Sequence, residues 1–415
     1  VPQKSILSNG VKLVTEELPH FHSVSVGVWL NVGSRDERAA ENGLTHFLEH
    51  MAFKGTGKRT ALDLAREIDE VGGSTNAFTS KEQTCFHGKV LAEHLPRLVD
   101  LLSDLVLHPT YQAPDLERER QVILEEISAQ EDNPEDLVQV RFARHLWGDT
   151  SLGRSILGEA ADIARVSREE LLAYRQATFR PEQIVVAAAG RVRHQELVDL
   201  LAPHFQDFHN GAPARLRDRA SSHAGVHQDH RDLEQVHLCL GTRGPAAAEE
   251  SRYPATLLQL ILGGNMSSRL FQVIREQLGL AYSIYSFLSF FSDTGLLGIS
   301  AGVSSKNLEP LLAATGRELK KLKAEPVSPQ ELQAGKEYLK GSILLAAEDC
   351  DHRMMRLAKN EIYFGHYIPL EEIINGLYKV TAEEVQELAR ELLAPEDWVL
   401  TLLGPVAFEV GRLDF

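Results

Sequence analysis

The chain has 415 residues, 43% of them apolar and 25% charged, a balance that excludes a mainly disordered chain and at this length predicts two globular units, each able to bury a core. With 43 basic against 59 acidic residues, the net charge of -16 argues against nucleic acid and leaves basic ligands as plausible partners. No run approaches the roughly 20 apolar residues of a membrane helix, Val1-Pro2-Gln3-Lys4 lacks the apolar core of a signal peptide, and Cys85, Cys239 and Cys350 are odd in number and scattered, which suggests a reducing compartment without disulfides.

In chain order, residues 23–32 alternate apolar side chains at Val24, Val26, Val28, Leu30 and Val32, the period of a half-buried strand. A helix is expected over 44–53, strand-like segments over 75–90, and helices around 95–107 and 115–130. Residues 166–190 then read as an amphipathic helix, a Pro-Glu turn and a buried strand ending in Gly190, with Ser167 and Glu170 spaced as a capping box. Residues 206–235 carry no sustained apolar period and predict an exposed linker, whose His209, His223, His227 and His230 need no metal to explain them.

The same order then recurs. A strand is expected over 236–241, a helix over 253–262, strands over 281–303, and helices over 308–324 and 329–347. Residues 380–404 align without a gap on 166–190, down to the cap (Thr381, Glu384), the Pro-Glu turn and the closing Gly404. That shared register predicts an internal duplication. The expected fold is α+β: two homologous domains, 1–212 and 236–415, each a mostly antiparallel β-sheet flanked by α-helices, joined by a linker over 213–235.

The chemistry-bearing segment is Gly43-Leu44-Thr45-His46-Phe47-Leu48-Glu49-His50-Met51. Four residues apart on a helix, His46 and His50 share a face and can offer imidazole nitrogens to one ion, while Glu49 can reach a metal-bound water as a general base. Such a pattern arises by chance too readily to stand alone, and two histidines require a third ligand. The acid-rich helix over 115–127 offers several, and Glu119 and Glu126, seven apart, lie on one face, so that one could bind metal and the other accept the free N–H of a ligating histidine.

Residues 43–56 (GLTHFLEHMAFKGT), 72–84 (GGSTNAFTSKEQT), 117–136 (ERERQVILEEISAQEDNPED) and 267–283 (SSRLFQVIREQLGLAYS) together resemble the pitrilysin-type, inverted H-x-x-E-H zinc metallopeptidases. Within them the resemblance is to the processing-peptidase β subunits and their single-chain bacterial homologues. It implies one zinc per chain on His46, His50 and Glu126, since the family's third ligand lies about 76 residues past the second histidine and 126 − 50 = 76. It further implies Glu49 as the catalytic base, Glu119 as the carboxylate behind a ligand histidine, and Arg275 and Tyr282 as catalytic groups from the second half. Asn76, Ala77 and Phe78 are implied on a substrate-binding edge strand.

Asp136 matches one of two family acidic positions that hold a basic substrate residue, whereas Val140 occupies the other, so a mild preference for basic peptides is expected rather than a strict rule. A solvated turn explains Asp136 equally well. The implied activity is hydrolysis of extended or unfolded peptides by a chain that pairs with a copy or a related chain. The implied setting is the bacterial cytoplasm or the mitochondrial matrix. A non-catalytic assembly subunit and an unrelated zinc amidase remain as alternatives.

Overall fold

The computed structural model describes residues 1–209 and 215–406, so positions 213 and 214 of the expected linker lie outside the described residues. Two sheets organise the chain. The first contains β1 (Gln3–Ile6), β2 (Lys12–Glu17), β3 (Ser23–Leu30), β4 (Ser74–Thr79), β5 (Thr84–Leu91) and β6 (Ile184–Gly190), in the order β1-β2-β6-β3-β5-β4. The second contains β7 (Gly225–Asp229), β8 (Val236–Gly244), β9 (Ala281–Phe290), β10 (Gly295–Val303) and β11 (Val399–Leu403), in the order β7-β11-β8-β10-β9.

These orders are one topology written twice. Matching β2 with β7, β6 with β11, β3 with β8, β5 with β10 and β4 with β9 superposes every pairing, including the single parallel pair in each sheet, β2 with β6 and β7 with β11. The first sheet adds β1. The duplicated helix-turn-strand segments behave alike: Ser167 and Thr381 each accept from the backbone N–H three residues on, and both boxes close. The fold is therefore α+β with two homologous halves.

The expected linker is corrected in part. Residues 225–229, Gly-Val-His-Gln-Asp, form β7, the counterpart of β2. Its sequence shows no apolar alternation because, among the described residues, it is an edge strand bonded only to β11, so polar side chains are tolerated.

The boundaries 1–212 and 236–415 also differ from the observed units. One unit comprises Val1–Ser128, Arg154–Arg217 and Leu344–Ile368; the other comprises Ala129–Gly153, Asp218–Ile343 and the chain from Pro369. The cause lies in the fully buried strands β6 and β11, which require cover on both faces of each sheet. One face of the first sheet packs on its own helices α1 (Leu44–Ala52), α2 (Ala61–Glu70), α3 (Leu95–Leu107) and α4 (Ala113–Asp132), around Val26, Phe47, Met51, Leu102 and Ile123. Its other face is covered by a helix from the second half, Cys350–Phe364, whose Met354, Leu357 and Ala358 meet Trp29, Cys85, Val185 and Ala187. Reciprocally, α5 (Pro134–Trp147), from the first half, sets Phe142, Leu146 and Trp147 against Cys239, Leu296, Val399 and Leu403 of the second sheet.

Other expectations need smaller adjustments. Helices over Leu95–Leu107 and Leu308–Ala324 match their predicted bounds. The helix expected over 253–262 is regular from Arg252 to Gln259 and then opens into a wider turn over Leu260–Gly264, where Gly263 leaves helical dihedrals. All three cysteines are free and buried. Among the described residues no helix is long and apolar enough to cross a membrane.

Candidate metal centre

Helix α1 is oriented by its apolar face. Leu44, Phe47, Leu48 and Met51 are buried in the core, and this turns His46, Glu49 and His50, which are only partly buried, to the opposite side. The helix starts from Gly43 in the left-handed region at φ 92. Only glycine fits, since a Cβ there would meet Ile163 Cδ1 at 2.7 Å and the Leu157 carbonyl oxygen at 2.8 Å.

The first turn of a helix leaves N–H groups without partners. Here the buried Glu37 carboxylate answers them: one oxygen accepts from Gly43 N at 2.9 Å and Asn42 Nδ2 at 3.2 Å, the other from Thr45 N at 2.8 Å. Burial pushes the Glu37 carboxyl up to about 7, while these donors pull the other way.

Helix α4 supplies the acids. Glu126 Oε2 lies 3.5 Å from His50 Nε2 and 3.7 Å from His46 Nε2, too far for good hydrogen bonds. All three ligand atoms lie within 4.8 Å of one another. Tetrahedral zinc with bonds of about 2.0–2.1 Å needs donor atoms roughly 3.3 Å apart, so the set fits such an ion. Glu119, seven residues back on the same face, is 6% exposed, and its Oε2 lies 3.1 Å from His50 Nδ1. Donating Nδ1–H to Glu119 leaves the His50 Nε2 lone pair facing Glu126, as a metal ligand requires. Burial, with His50 adding, lowers His46 to about 3, so its imidazole is neutral. Glu125, the neighbour of Glu126, is exposed.

Glu49, on the same side of α1 as the two histidines, reaches the sheet edge. Its Oε2 accepts a 2.5 Å bond from Thr79 Oγ1 at the end of β4. Burial raises its carboxyl above the ordinary range, against the bond from Thr79. Among the described residues strand β4 is bonded only to β5, so its outer edge offers a place for a further strand. Ala77 packs into the core on the helix side, whereas Phe78 turns to Trp29 on the opposite face, ring centroids 5.4 Å apart. Asn76 shares the Phe78 side by alternation and bonds back to Ala77 N at 2.8 Å. The three predicted edge residues thus lie on the edge strand with side chains on two faces.

The remaining predicted residues belong to the other unit. Arg275 stacks between Phe271 and Tyr282, its Cζ 4.7 Å from each ring, and Tyr282 is 81% exposed. Asp136 is exposed in the first turn of α5, accepting a 2.7 Å bond from Asn133 Nδ2. Three residues near the centre escaped sequence reasoning. Lys54 holds Glu119 Oε1 at 2.7 Å, and its signal was a cation one turn beyond His50. Thr79 binds Glu49, and Glu37 caps α1; a hydroxyl and a loop carboxylate carry no pattern that would single them out.

Residues 12–160 match the family described as Insulinase (Peptidase family M16), and residues 165–339 match the Peptidase M16 inactive domain. The chain is 40% identical over 409 residues to an "uncharacterized zinc protease" of Mycobacterium tuberculosis, covering 97% of this chain and 93% of that one. It is 39% identical over 397 residues to the "uncharacterized zinc protease YmxG" of Bacillus subtilis, covering 96% and 97%. The fold matches the crystal structure of a protease from Helicobacter pylori with TM-score 0.91 at 21% identity, covering 98% of this chain and 99% of that one. It also matches a peptidase M16 inactive domain from Pseudomonas fluorescens, with TM-score 0.88 at 19% identity and coverage of 99% and 100%.

Proposed function

Because the chain belongs to the insulinase (M16) family of peptidases, we propose that it is a zinc-dependent endopeptidase hydrolysing extended or unfolded peptides, with one zinc per chain on His46, His50 and Glu126. The observation that carries this reading is the convergence of those three ligand atoms beside Glu49, at the end of an open edge strand.

A zinc ion held there would supply Lewis acidity, polarising the scissile carbonyl and making a water easier to deprotonate. Glu49 is the base: one carboxylate oxygen is steadied by Thr79, and the group takes the water's proton and returns it to the leaving amine. Glu119 fixes the His50 ring through Nδ1. A peptide pairing with β4 would be held through backbone bonds alone, so it must be extended, and folded proteins are poor substrates.

We carry Arg275 and Tyr282 as groups that contact substrate, and Asp136 as the source of a mild, salt-sensitive preference for basic peptides. A cytoplasmic chain that pairs with a copy or a relative completes the reading, which is processing-peptidase-like. Its test is Glu49→Gln, which retains a polar amide but cannot take a proton. The variant should keep about one zinc per chain and lose about 10²- to 10⁴-fold in peptide hydrolysis, while His46→Ala and Glu126→Ala should lose the metal. Hydrolysis at the normal rate by Glu49→Gln would remove the general-base assignment.

A further inference from the structure

Residues 33–37 lie in the connection from β3 to α1 and are bonded in two directions. Toward the helix, Glu37 receives Asn42 Nδ2, Gly43 N and Thr45 N. Toward the sheet, Ser34 N donates to the Ser80 carbonyl at 3.1 Å and Arg35 N to the Lys81 carbonyl at 2.7 Å, both in the turn between β4 and β5. The Arg35 guanidinium meets Glu82 in that same turn at 2.7 Å, both side chains being buried. One short segment is thus tied both to the helix that carries His46, Glu49 and His50 and to the hairpin that carries Thr79.

We propose that Glu37 is a positioning residue for hydrolysis: by clamping the first turn of α1 to this segment, it sets where Glu49 and the two histidines point relative to strand β4. The inference rests on the peptidase reading above. A carboxylate suits the task because three N–H donors converge on its two oxygens, and both oxygens can accept. Glutamine would turn an NH₂ group toward one set of donors, and aspartate, one methylene shorter, would reach only some of them. Helix α1 has just nine residues, so a tilt of its first turn is carried through to His50. The Glu49 to Thr79 bond, at 2.5 Å, leaves little room for such a tilt.

The test compares wild type, Glu37→Gln and Glu37→Asp after replacing the metal with Co²⁺, whose visible absorption reports ligand geometry. Dissociation constants for Zn²⁺ and the separate kcat and KM for a peptide are measured alongside. Leu201→Ala, a core truncation on the helix His194–Phe205 of the same unit, serves as the control for stability loss. Glu37→Gln should alter the Co²⁺ spectrum, weaken Zn²⁺ about tenfold and lower kcat about tenfold with KM little changed; Glu37→Asp should fall between it and wild type. Leu201→Ala should lower thermal stability with a wild-type spectrum. A wild-type spectrum and kcat in Glu37→Gln, or equal spectral changes in Leu201→Ala, would overturn the positioning role. Should Glu37→Gln fail to fold, a wild-type spectrum and kcat in Glu37→Asp decides against it. A wild-type chain that neither binds Co²⁺ nor hydrolyses peptide would overturn the peptidase reading itself, a result distinct from both.

Discussion

Replacing Lys54 by methionine removes a charge while keeping most of the aliphatic stem. The Lys54 ammonium sits 2.7 Å from Glu119 Oε1, with side-chain exposures of 34% and 6%, and the other Glu119 oxygen faces His50 Nδ1 at 3.1 Å. Exposed ion pairs contribute about 0.2–1 kcal/mol, whereas stripping the partner from a buried charge costs about 3–5 kcal/mol. With one member buried and the other a third exposed, the cost falls at about 1–2 kcal/mol. The part that passes through Glu119 to His50 appears as weaker zinc binding, at most about 5- to 30-fold at 1.4 kcal/mol per factor of ten. The assay is competition for zinc against a chromophoric chelator at neutral pH, at low and high salt. In a Glu119→Gln background the same substitution should cost much less, because its partner charge is gone. Zinc binding within twofold of wild type in Lys54→Met, alongside clear weakening in Glu119→Gln, would refute the relay from Lys54 to His50.

Met354→Ala should destabilise the first unit by about 2–5 kcal/mol, by opening a cavity at a fully buried site and removing the sulfur that accepts from Trp29 Nε1 at 3.3 Å. Its urea midpoint should drop accordingly, and residues 1–212 alone, which lack this helix, should be inactive. Burial holds His145 at about 4, helped by the stacked His227 and by Arg141 and Arg144 and opposed by Asp229. The folded chain therefore binds fewer protons than the unfolded chain between pH 4 and 6.5, so this contribution to stability is complete above 6.5 and is lost as pH falls toward 4. Melting temperature should fall across that window less steeply in His145→Gln, and identical slopes would count against it. Tyr282→Phe and Arg275→Ala should each lower peptide hydrolysis with zinc content intact; loss of metal in either would show that their roles are misassigned.

Much of the local structure was legible from residue order. The alternation at Val24, Val26, Val28 and Leu30 marks β3, the paired capping boxes at Ser167 and Thr381 mark the repeat, and the four-residue spacing of His46 and His50 marks one helix face. Each depends on neighbours within a turn or two, so the chain's own periodicity suffices. Choosing Glu126 over Glu125 already needed more than periodicity, because adjacent acids on a helix differ only in which way the helix is rolled. The core-facing Leu116, Ile123 and Ile127 decide that roll. The exchange of α5 and the helix Cys350–Phe364 between halves was not legible, although the continuous apolar runs of β6 and β11 required a second cover from somewhere. An amphipathic stripe states that a partner exists without naming it, since hydrophobic burial is non-directional. Composition, the duplication and the candidate ligand set follow from the sequence alone. Which helix covers which sheet, and which carboxylate, ammonium and hydroxyl meet His50, Glu119 and Glu49, only the tertiary structure decides, because those contacts join residues 30 to more than 300 positions apart.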